Sequence, residues 1–146
     1  MKKDEEPIVV EQAFSVPAER VWAAITKIEE MRQWYFANIP AFKAEVGFET
    51  EFNVNSGGRD FPHLWKVTEV IPQEKITYDF KFGGYAGNAY VSFELFAQGE
   101  GATLRVTYRV VEDMAEGIPE FERESGVAGW TYFIKQRLKA YLEKVE

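Results

Sequence analysis

Residues 61–82 read as two β-strands, FPHLWKVTEVI and KITYDFKF, joined by a turn at residues 72–74. One face of the second strand carries Ile76, Tyr78, Phe80 and Phe82, and the other carries Thr77, Asp79 and Lys81. A period of two is typical of a sheet with one dry face and one wet face. Because the dry face is almost entirely aromatic, it either fills a core or lines a cavity.

The same alternation recurs in several other segments and predicts an antiparallel sheet of about six strands. The predicted strands cover residues 8–14, 46–54, 61–71, 75–82, 88–97 and 102–111. Two short helices are expected after the first strand, one with Pro17 at its first position and one over residues 29–34. Residues 55–60 and 83–88 are rich in turn formers and are expected to be flexible loops. The spacing of Val67 and Val70 does not fit one face of a regular strand, which predicts a β-bulge between them.

From about residue 119 to 145 the pattern becomes helical. Residues on the apolar face follow spacings of three and four: Val127, Trp130, Ile134, Leu138, Tyr141 and Val145. This helix alone is long enough to cover the dry face of the sheet. The result is an α+β fold: a curved antiparallel sheet around a long C-terminal helix, as one domain over residues 8–146 preceded by a flexible N-terminus at 1–7.

Composition excludes several classes of function. The net charge is −7, which argues against nucleic acid as a partner, because phosphate binding needs a basic surface. The chain has no cysteine, no apolar run of membrane-spanning length and no secretory signal pattern. We therefore expect a cytoplasmic protein without metal or cofactor and without membrane insertion.

Several local patterns, in this order, resemble a known family, the activator-of-heat-shock-protein-ATPase homologues (AHSA-like) of the START-like, or SRPBCC, superfamily. The resemblance spans about residues 8–144 and rests on residues 14–22, Trp34, Gly47-Phe48, residues 67–72, residues 76–78, residues 101–104, and Gly129-Trp130 followed by Leu138 and Leu142. It implies the helix-grip fold of START domains and pollen allergens, with a cavity between sheet and terminal helix. It does not imply one activity, because a fold shared this widely hosts many functions.

Three functions follow as hypotheses. The first is binding of a small hydrophobic or aromatic ligand in that cavity, which the excess of inward-facing rings favours over catalysis. The second is a cyclase-type or hydratase-type enzyme that uses the same cavity. The third is a protein-interaction module like the chaperone activators, although the resemblance implies a further N-terminal domain in those proteins that this sequence lacks. A homodimer is compatible with all three.

Residues expected to contact the ligand are Trp34, Phe48, Phe52, His63, Trp65, Tyr78, Phe80, Phe93, Tyr108, Trp130 and Phe133. If catalysis occurs, His63 and Tyr78 are the candidates for proton transfer. Alternatively, His63 lies at a strand edge or loop mouth, and the tyrosine hydroxyls bond a backbone carbonyl or water. Gly126 and Gly129 either let the closing helix approach the sheet or leave space for the ligand.

Overall fold

The computed structural model describes residues 1–143 and has one six-stranded antiparallel sheet. Its strands are β1 (Ile8–Phe14), β2 (Glu49–Ser56), β3 (Arg59–Ile71), β4 (Lys75–Phe82), β5 (Asn88–Gln98) and β6 (Gly101–Glu112). They lie in the order β1-β6-β5-β4-β3-β2, so that β2 to β6 form consecutive hairpins and β1 returns beside β6. The α+β helix-grip arrangement predicted from the sequence is confirmed.

Two short helices, α1 (Ala18–Thr26) and α2 (Ile28–Trp34), follow β1 as predicted. Pro17 caps α1 rather than opening it, and its carbonyl accepts a hydrogen bond from Arg20 N at 2.9 Å. Trp34 is fully buried, and its indole Nε1 donates to the carbonyl of Ala24 at 2.8 Å. This bond joins the two helices and fixes where the chain leaves α2.

The register of β3 and β4 places their aromatic rings beneath the helices. Val67 pairs with Tyr78 and Glu69 with Thr77, which confirms the predicted bulge. Apart from the bulge, the predicted alternation holds in β4, except that Thr77 is buried on the face expected to be wet. Its hydroxyl lies 2.8 Å from that of Ser92, so the two groups satisfy each other.

The structure corrects two strand boundaries near β2. Residues 55–60 are mostly strand, and only Gly57 and Gly58 form the turn, with φ of +58° and +84°. Two successive residues with positive φ suit a two-residue hairpin, which glycine adopts without steric cost. At the other end, β2 begins at residue 49 instead of 46, because the chain turns at Gly47 with φ of +92°.

The closing helix, residues 123–142, is not uniformly α-helical. It consists of α3 (Arg123–Thr131), a π-helical segment (Tyr132–Leu138) and α4 (Lys139–Leu142), and a 3₁₀ turn (Pro119–Phe121) precedes it. Its buried residues are Trp130, Ile134, Leu138 and Leu142. In a pure α-helix a spacing of four drifts around the axis. The wider π turns compensate for that drift.

This geometry explains why the predicted apolar face is partly wrong. Val127 is 39% exposed, and Leu142 is buried where the spacing predicted Tyr141, which is half-buried. The predicted Val145 lies outside the described residues. Within the π segment, Lys135 Nζ donates to Glu11 O at 2.7 Å and Arg137 Nη2 to Gln33 O at 2.9 Å. These bonds hold the helix against β1 and α2.

The first residues contact the body of the protein. Met1 N donates to Phe121 O at 2.6 Å, and Met1 O accepts from Met114 N at 2.9 Å. The backbone N of Lys3 donates to Asp113 Oδ1 at 2.8 Å. The flexibility expected for residues 1–7 stays a prediction, and these contacts show where the segment lies when it is docked.

Candidate ligand-binding cavity

A cavity of about 130 Å³ lies between the sheet and the closing helix. Residues of the N-terminus, the exit of α2, strands β3, β4 and β6, the 3₁₀ turn and the closing helix line it: Met1, Tyr35, Phe36, His63, Phe80, Phe82, Tyr108, Glu120, Phe121, Ser125, Gly126, Gly129, Trp130 and Phe133. Most of this surface is aromatic carbon, with a small number of nitrogen and oxygen atoms. Such a composition is typical of sites for small apolar molecules.

The residues expected to contact a ligand separate into two groups. Five of them line the cavity together: His63, Phe80, Tyr108, Trp130 and Phe133. The other six pack outside its lining: Trp34, Phe48, Phe52, Trp65, Tyr78 and Phe93. In this second group Phe52 supports the site indirectly, because its ring stacks on that of His63 with centroids 5.1 Å apart.

Tyr35, Phe36, Phe82 and Phe121 also line the cavity, although the sequence patterns did not single them out as ligand contacts. Tyr35 and Phe36 directly follow the last residue of α2, so neither a helical nor a strand period applies to them. The Tyr35 ring stacks on Trp34 with centroids 4.6 Å apart and on Trp65 at 5.2 Å. The run of three consecutive aromatic residues at 34–36 was the one sequence feature that could have indicated that Tyr35 and Phe36 line the cavity.

His63 is 5% exposed and is surrounded by rings. The edge of its imidazole meets Phe82 and Phe36 with centroid distances of 4.9 and 5.0 Å. Its Nδ1 lies 2.8 Å from the carbonyl oxygen of Phe61. Burial lowers the pKa of His63 to about 4, and the bond to Phe61 opposes that shift only in part. The imidazole is therefore neutral near pH 7.

Three tyrosine hydroxyls lie in or beside the cavity. Those of Tyr35 and Tyr78 lie 3.2 Å apart and bond each other, whereas Tyr108 Oη has no hydrogen bond within the part of the chain that is described. Burial raises the pKa of all three phenols above its usual value. They remain protonated at any physiological pH and can donate hydrogen bonds.

The two glycines of α3 have different surroundings. A Cβ at Gly126 would lie 2.9 Å from Ile8 Cδ1 and 3.2 Å from Met1 Sδ, so this glycine allows a close approach. Apart from its chain neighbours and the backbone of its own helix, a Cβ at Gly129 would meet no atom of residues 1–143 within 4 Å. Since Gly129 also lines the cavity, its missing side chain leaves part of that space open. The close-approach alternative drawn from the sequence fits Gly126, whereas the ligand-space alternative stays a prediction for Gly129.

At the rim of the cavity a polar cluster joins the β2–β3 hairpin to the 3₁₀ turn. Glu120 lines the cavity, and its side chain is 26% exposed. It accepts from Arg59 Nη2 at 3.0 Å and from Ser56 Oγ at 3.0 Å. Nearby, the Tyr85 hydroxyl donates to Asp60 O at 2.9 Å, which ties the 83–87 connection to the same hairpin.

A larger open groove of about 710 Å³ lies on the outer face of the sheet, beside residues 40–41. Half of its lining residues are charged, with carboxylates and lysines interspersed: Glu49, Glu51, Lys66, Asp79 and Lys81. Side chains of this kind alternate with the buried ones along any half-exposed sheet. The inner cavity is therefore the better candidate site, despite its smaller volume.

Two kinds of feature are absent from residues 1–143. They contain no group of three or more histidine or carboxylate side chains placed to hold a metal ion. Over the same range, no helix is both long and apolar enough to span a bilayer.

The sequence matches the family described as Activator of Hsp90 ATPase homolog 1-like protein over residues 15–143. The chain belongs to this family. No curated protein matches it. The match covers every element that surrounds the cavity except β1 and the first residues, and it confirms the resemblance seen in the sequence.

Solved structures of this AHSA1-like family and its neighbours share the fold. Protein CV1439 from Chromobacterium violaceum has a TM-score of 0.79 at 22% identity, with 96% of this chain and 99% of that chain covered. The Aha1 dimer from Colwellia psychrerythraea has a TM-score of 0.73 at 20% identity, with 96% and 98% covered. DynU16, described as a putative protein in the dynemicin biosynthetic locus, has a TM-score of 0.76 at 25% identity, with 96% of this chain but 48% of that chain covered.

Proposed function

We propose that this AHSA1-like protein binds a small aromatic or hydrophobic molecule in the cavity between the sheet and the closing helix. The observation that carries the proposal is the open space beside Gly129, which the surrounding rings line without filling. A tightly packed core normally leaves few voids larger than a water molecule. A void of this size under a helix that contains two glycines, Gly126 and Gly129, is unusual for a structure optimised only for stability.

The volume sets the size of the ligand. About 130 Å³ exceeds the roughly 30 Å³ share of one water several times. An engineered apolar cavity of about 150 Å³ in another protein holds benzene. One aromatic ring therefore fits the site as it stands, whereas a longer ligand requires the rim at Glu120 to open.

The expected affinity is modest. Burying roughly 200 Å² of apolar surface contributes about 5 kcal/mol before other terms are included. The loss of translational and rotational freedom opposes association by several kcal/mol. Dissociation constants for one-ring compounds should therefore be nearer millimolar than nanomolar.

Binding is better supported than catalysis. General acid–base catalysis works best when the pKa of the group lies near the working pH. The pKa of His63 is about 4, and Tyr78 lies outside the cavity lining with a raised pKa. The position of DynU16 in a biosynthetic locus is compatible with the cyclase-type or hydratase-type alternative, but neither candidate proton donor here has the properties that it needs.

A chaperone-activator role and a homodimer remain hypotheses that rest on the family and on the Aha1 dimer from Colwellia psychrerythraea. The larger exposed apolar side chains within residues 1–143 lie on different elements: Val9, Val46, Ile71, Phe96, Val111, Val127 and Tyr132. Interaction surfaces are usually contiguous apolar patches. The cytoplasmic location likewise remains a prediction from the sequence.

The test is titration of the ¹⁵N-labelled protein with toluene, phenol and indole, followed by NMR chemical shifts. We expect saturable shifts at Trp130, Phe133 and neighbouring backbone amides. The variant Gly129→Leu places a side chain into the cavity and should abolish them. Ala128→Leu is the matched control, since Ala128 is exposed on the same helix and the leucine points away from the cavity.

Three results would contradict the proposal. The first is an absence of saturable shifts with every compound. The second is shifts that centre on the outer groove near Lys66. The third is Gly129→Leu binding as well as Ala128→Leu while both variants remain folded.

A further inference from the structure

The environment of His63 fixes which of its nitrogen atoms carries the proton. Nδ1 lies 2.8 Å from the carbonyl oxygen of Phe61, a group that only accepts hydrogen bonds. Nδ1 must therefore be the N–H donor. In a neutral imidazole the other nitrogen, Nε2, then carries a lone pair and can only accept.

The ring is neutral because burial disfavours a positive charge and the Phe61 carbonyl compensates only in part. Its close neighbours are Phe36, Phe52, Phe80, Phe82 and Trp65. Among the cavity-lining side chains the only carboxylate is that of Glu120 at the rim, where Arg59 and Ser56 already bond it. The low pKa of His63 agrees with this arrangement.

Nε2 is consequently an acceptor without a donor. No hydrogen bond to it is found in the described range, and the residue lines the cavity. Nε2 is not among the fully buried unpaired polar atoms of residues 1–143, so solvent in the cavity can reach it. A ligand that excludes this solvent without bringing a donor leaves a buried acceptor unpaired, which carries a desolvation penalty, whereas a ligand with an O–H or N–H group at this atom avoids it.

We propose that His63 makes the cavity selective for neutral aromatic molecules that carry a hydrogen-bond donor on the ring, such as phenols and anilines. This inference rests on the proposed function of the cavity. Ionised acids that do not reach Met1 are disfavoured, because its terminal ammonium, which donates one hydrogen bond to Phe121 O, is the only cationic group among the cavity-lining residues of the described range. Burying an unpaired anion there would be strongly unfavourable.

The test compares phenol with toluene, which have nearly the same shape and differ in the donor group. The quantity measured is the ratio of the two dissociation constants, obtained by NMR titration for wild type, His63→Phe, His63→Gln and Tyr108→Phe. The two compounds differ in their hydration in water, but this difference is the same for every variant. It therefore cancels when the ratio for one variant is compared with the ratio for another. We expect His63→Phe to reduce the relative affinity for phenol roughly five- to tenfold, the effect of one neutral hydrogen bond.

The other variants separate His63 from the second polar group of the cavity. His63→Gln supplies a carbonyl acceptor and should restore part of the preference. A loss in Tyr108→Phe equal to or larger than that in His63→Phe would overturn the inference, and so would an unchanged ratio in His63→Phe. If neither compound binds the wild-type protein, the proposed function fails and this inference with it.

A second measurement needs no variant and covers the case in which His63→Phe does not fold. The ¹⁵N resonance of an unprotonated imidazole nitrogen moves upfield when that nitrogen accepts a hydrogen bond. In the wild-type protein phenol should move the Nε2 resonance of His63 in this direction, and toluene should not. Equal shifts with both compounds, or an Nδ1 that proves to be the unprotonated nitrogen, would overturn the assignment.

Discussion

The hydroxyl oxygens of Tyr35 and Tyr78 lie 3.2 Å apart in a part of the core that excludes solvent. Tyr35 comes from the exit of α2 and Tyr78 from β4, so their bond connects the helical layer to the sheet. The two rings also contact Trp65, at centroid distances of 5.2 and 4.9 Å. This polar contact fixes the position of one wall of the cavity from behind.

The loss of stability in the double variant, with both tyrosines replaced by phenylalanine, should be smaller than the sum of the losses in the two single variants. In Tyr35→Phe or Tyr78→Phe, one buried hydroxyl loses its partner, and each should lower the free energy of unfolding by about 1–2 kcal/mol. The double variant has no orphaned hydroxyl and should cost little more than either single change. Urea denaturation of the four proteins gives the coupling energy. Strictly additive losses would show that the contact does not contribute.

The glycines of α3 provide a second pair of variants. Gly129→Ala adds a methyl group to open space and removes a helix-interior glycine, so it should raise the free energy of unfolding by up to about 1 kcal/mol. Gly126→Ala has the same propensity gain but must displace Ile8 Cδ1, and it should stabilise less or destabilise. Thermal unfolding measures both. A larger gain for Gly126→Ala would contradict the difference in surroundings described here.

Most of the fold could be predicted because the alternation of the strands records which face is buried. The β4 residues Ile76, Tyr78 and Phe80 are buried as their positions predict, and even the bulge after Val67 followed from a break in the alternation. Such local patterns arise because each side chain's environment is set by the period of its own strand.

What the sequence did not predict depends on contacts between distant segments. The π-helical turns fit the helix to the surface beneath it, so that Leu142 is buried and Val127 is exposed. The local spacing of apolar residues does not contain information about that surface. Tyr35 reaches the cavity because the Trp34–Ala24 bond fixes the exit of α2. Whether a given ring fills the core or lines the cavity depends on a gap of about 130 Å³. Differences of this size arise from packing and have no signature in residue type.

Stability should fall as the solution is acidified from pH 6.5 to about 4, in a range that reports on His63. Its pKa in the folded state is about 4, below the ordinary 6.5, so the unfolded chain binds the proton first. The contribution of neutral His63 to the free energy of unfolding is fully present above pH 6.5. It falls by up to about 1.4 kcal/mol per pH unit as the pH is lowered and levels off near pH 4. Urea denaturation at half-unit intervals of pH measures this slope.

The variant His63→Phe is the control for that slope. His63 is the only histidine, so replacing it should flatten the dependence between pH 5 and 6.5. Lysine and phenol groups titrate far above this range, and carboxylates titrate mostly below it. Glu143, for example, whose pKa the Lys139 ammonium holds near 2, affects stability below about pH 4.5. A slope that persists in His63→Phe would show that another group carries it.

The Arg59–Glu120 pair at the rim should control how fast a ligand enters and leaves more than how tightly it binds. Both side chains are partly exposed, so Arg59→Ala should change the free energy of unfolding by less than about 1 kcal/mol. Without the pair, only the Ser56–Glu120 hydrogen bond joins these side chains of the β2–β3 hairpin and the 3₁₀ turn, and association and dissociation rates should rise together by several-fold while the dissociation constant stays within about twofold. NMR exchange measurements with toluene give both rates.

Arg105→Ala is the matched control, because it breaks an exposed ion pair with Glu11 on the far strands β6 and β1 and should leave both rates unchanged. Equal rates in Arg59→Ala and wild type would show that the ligand uses another route.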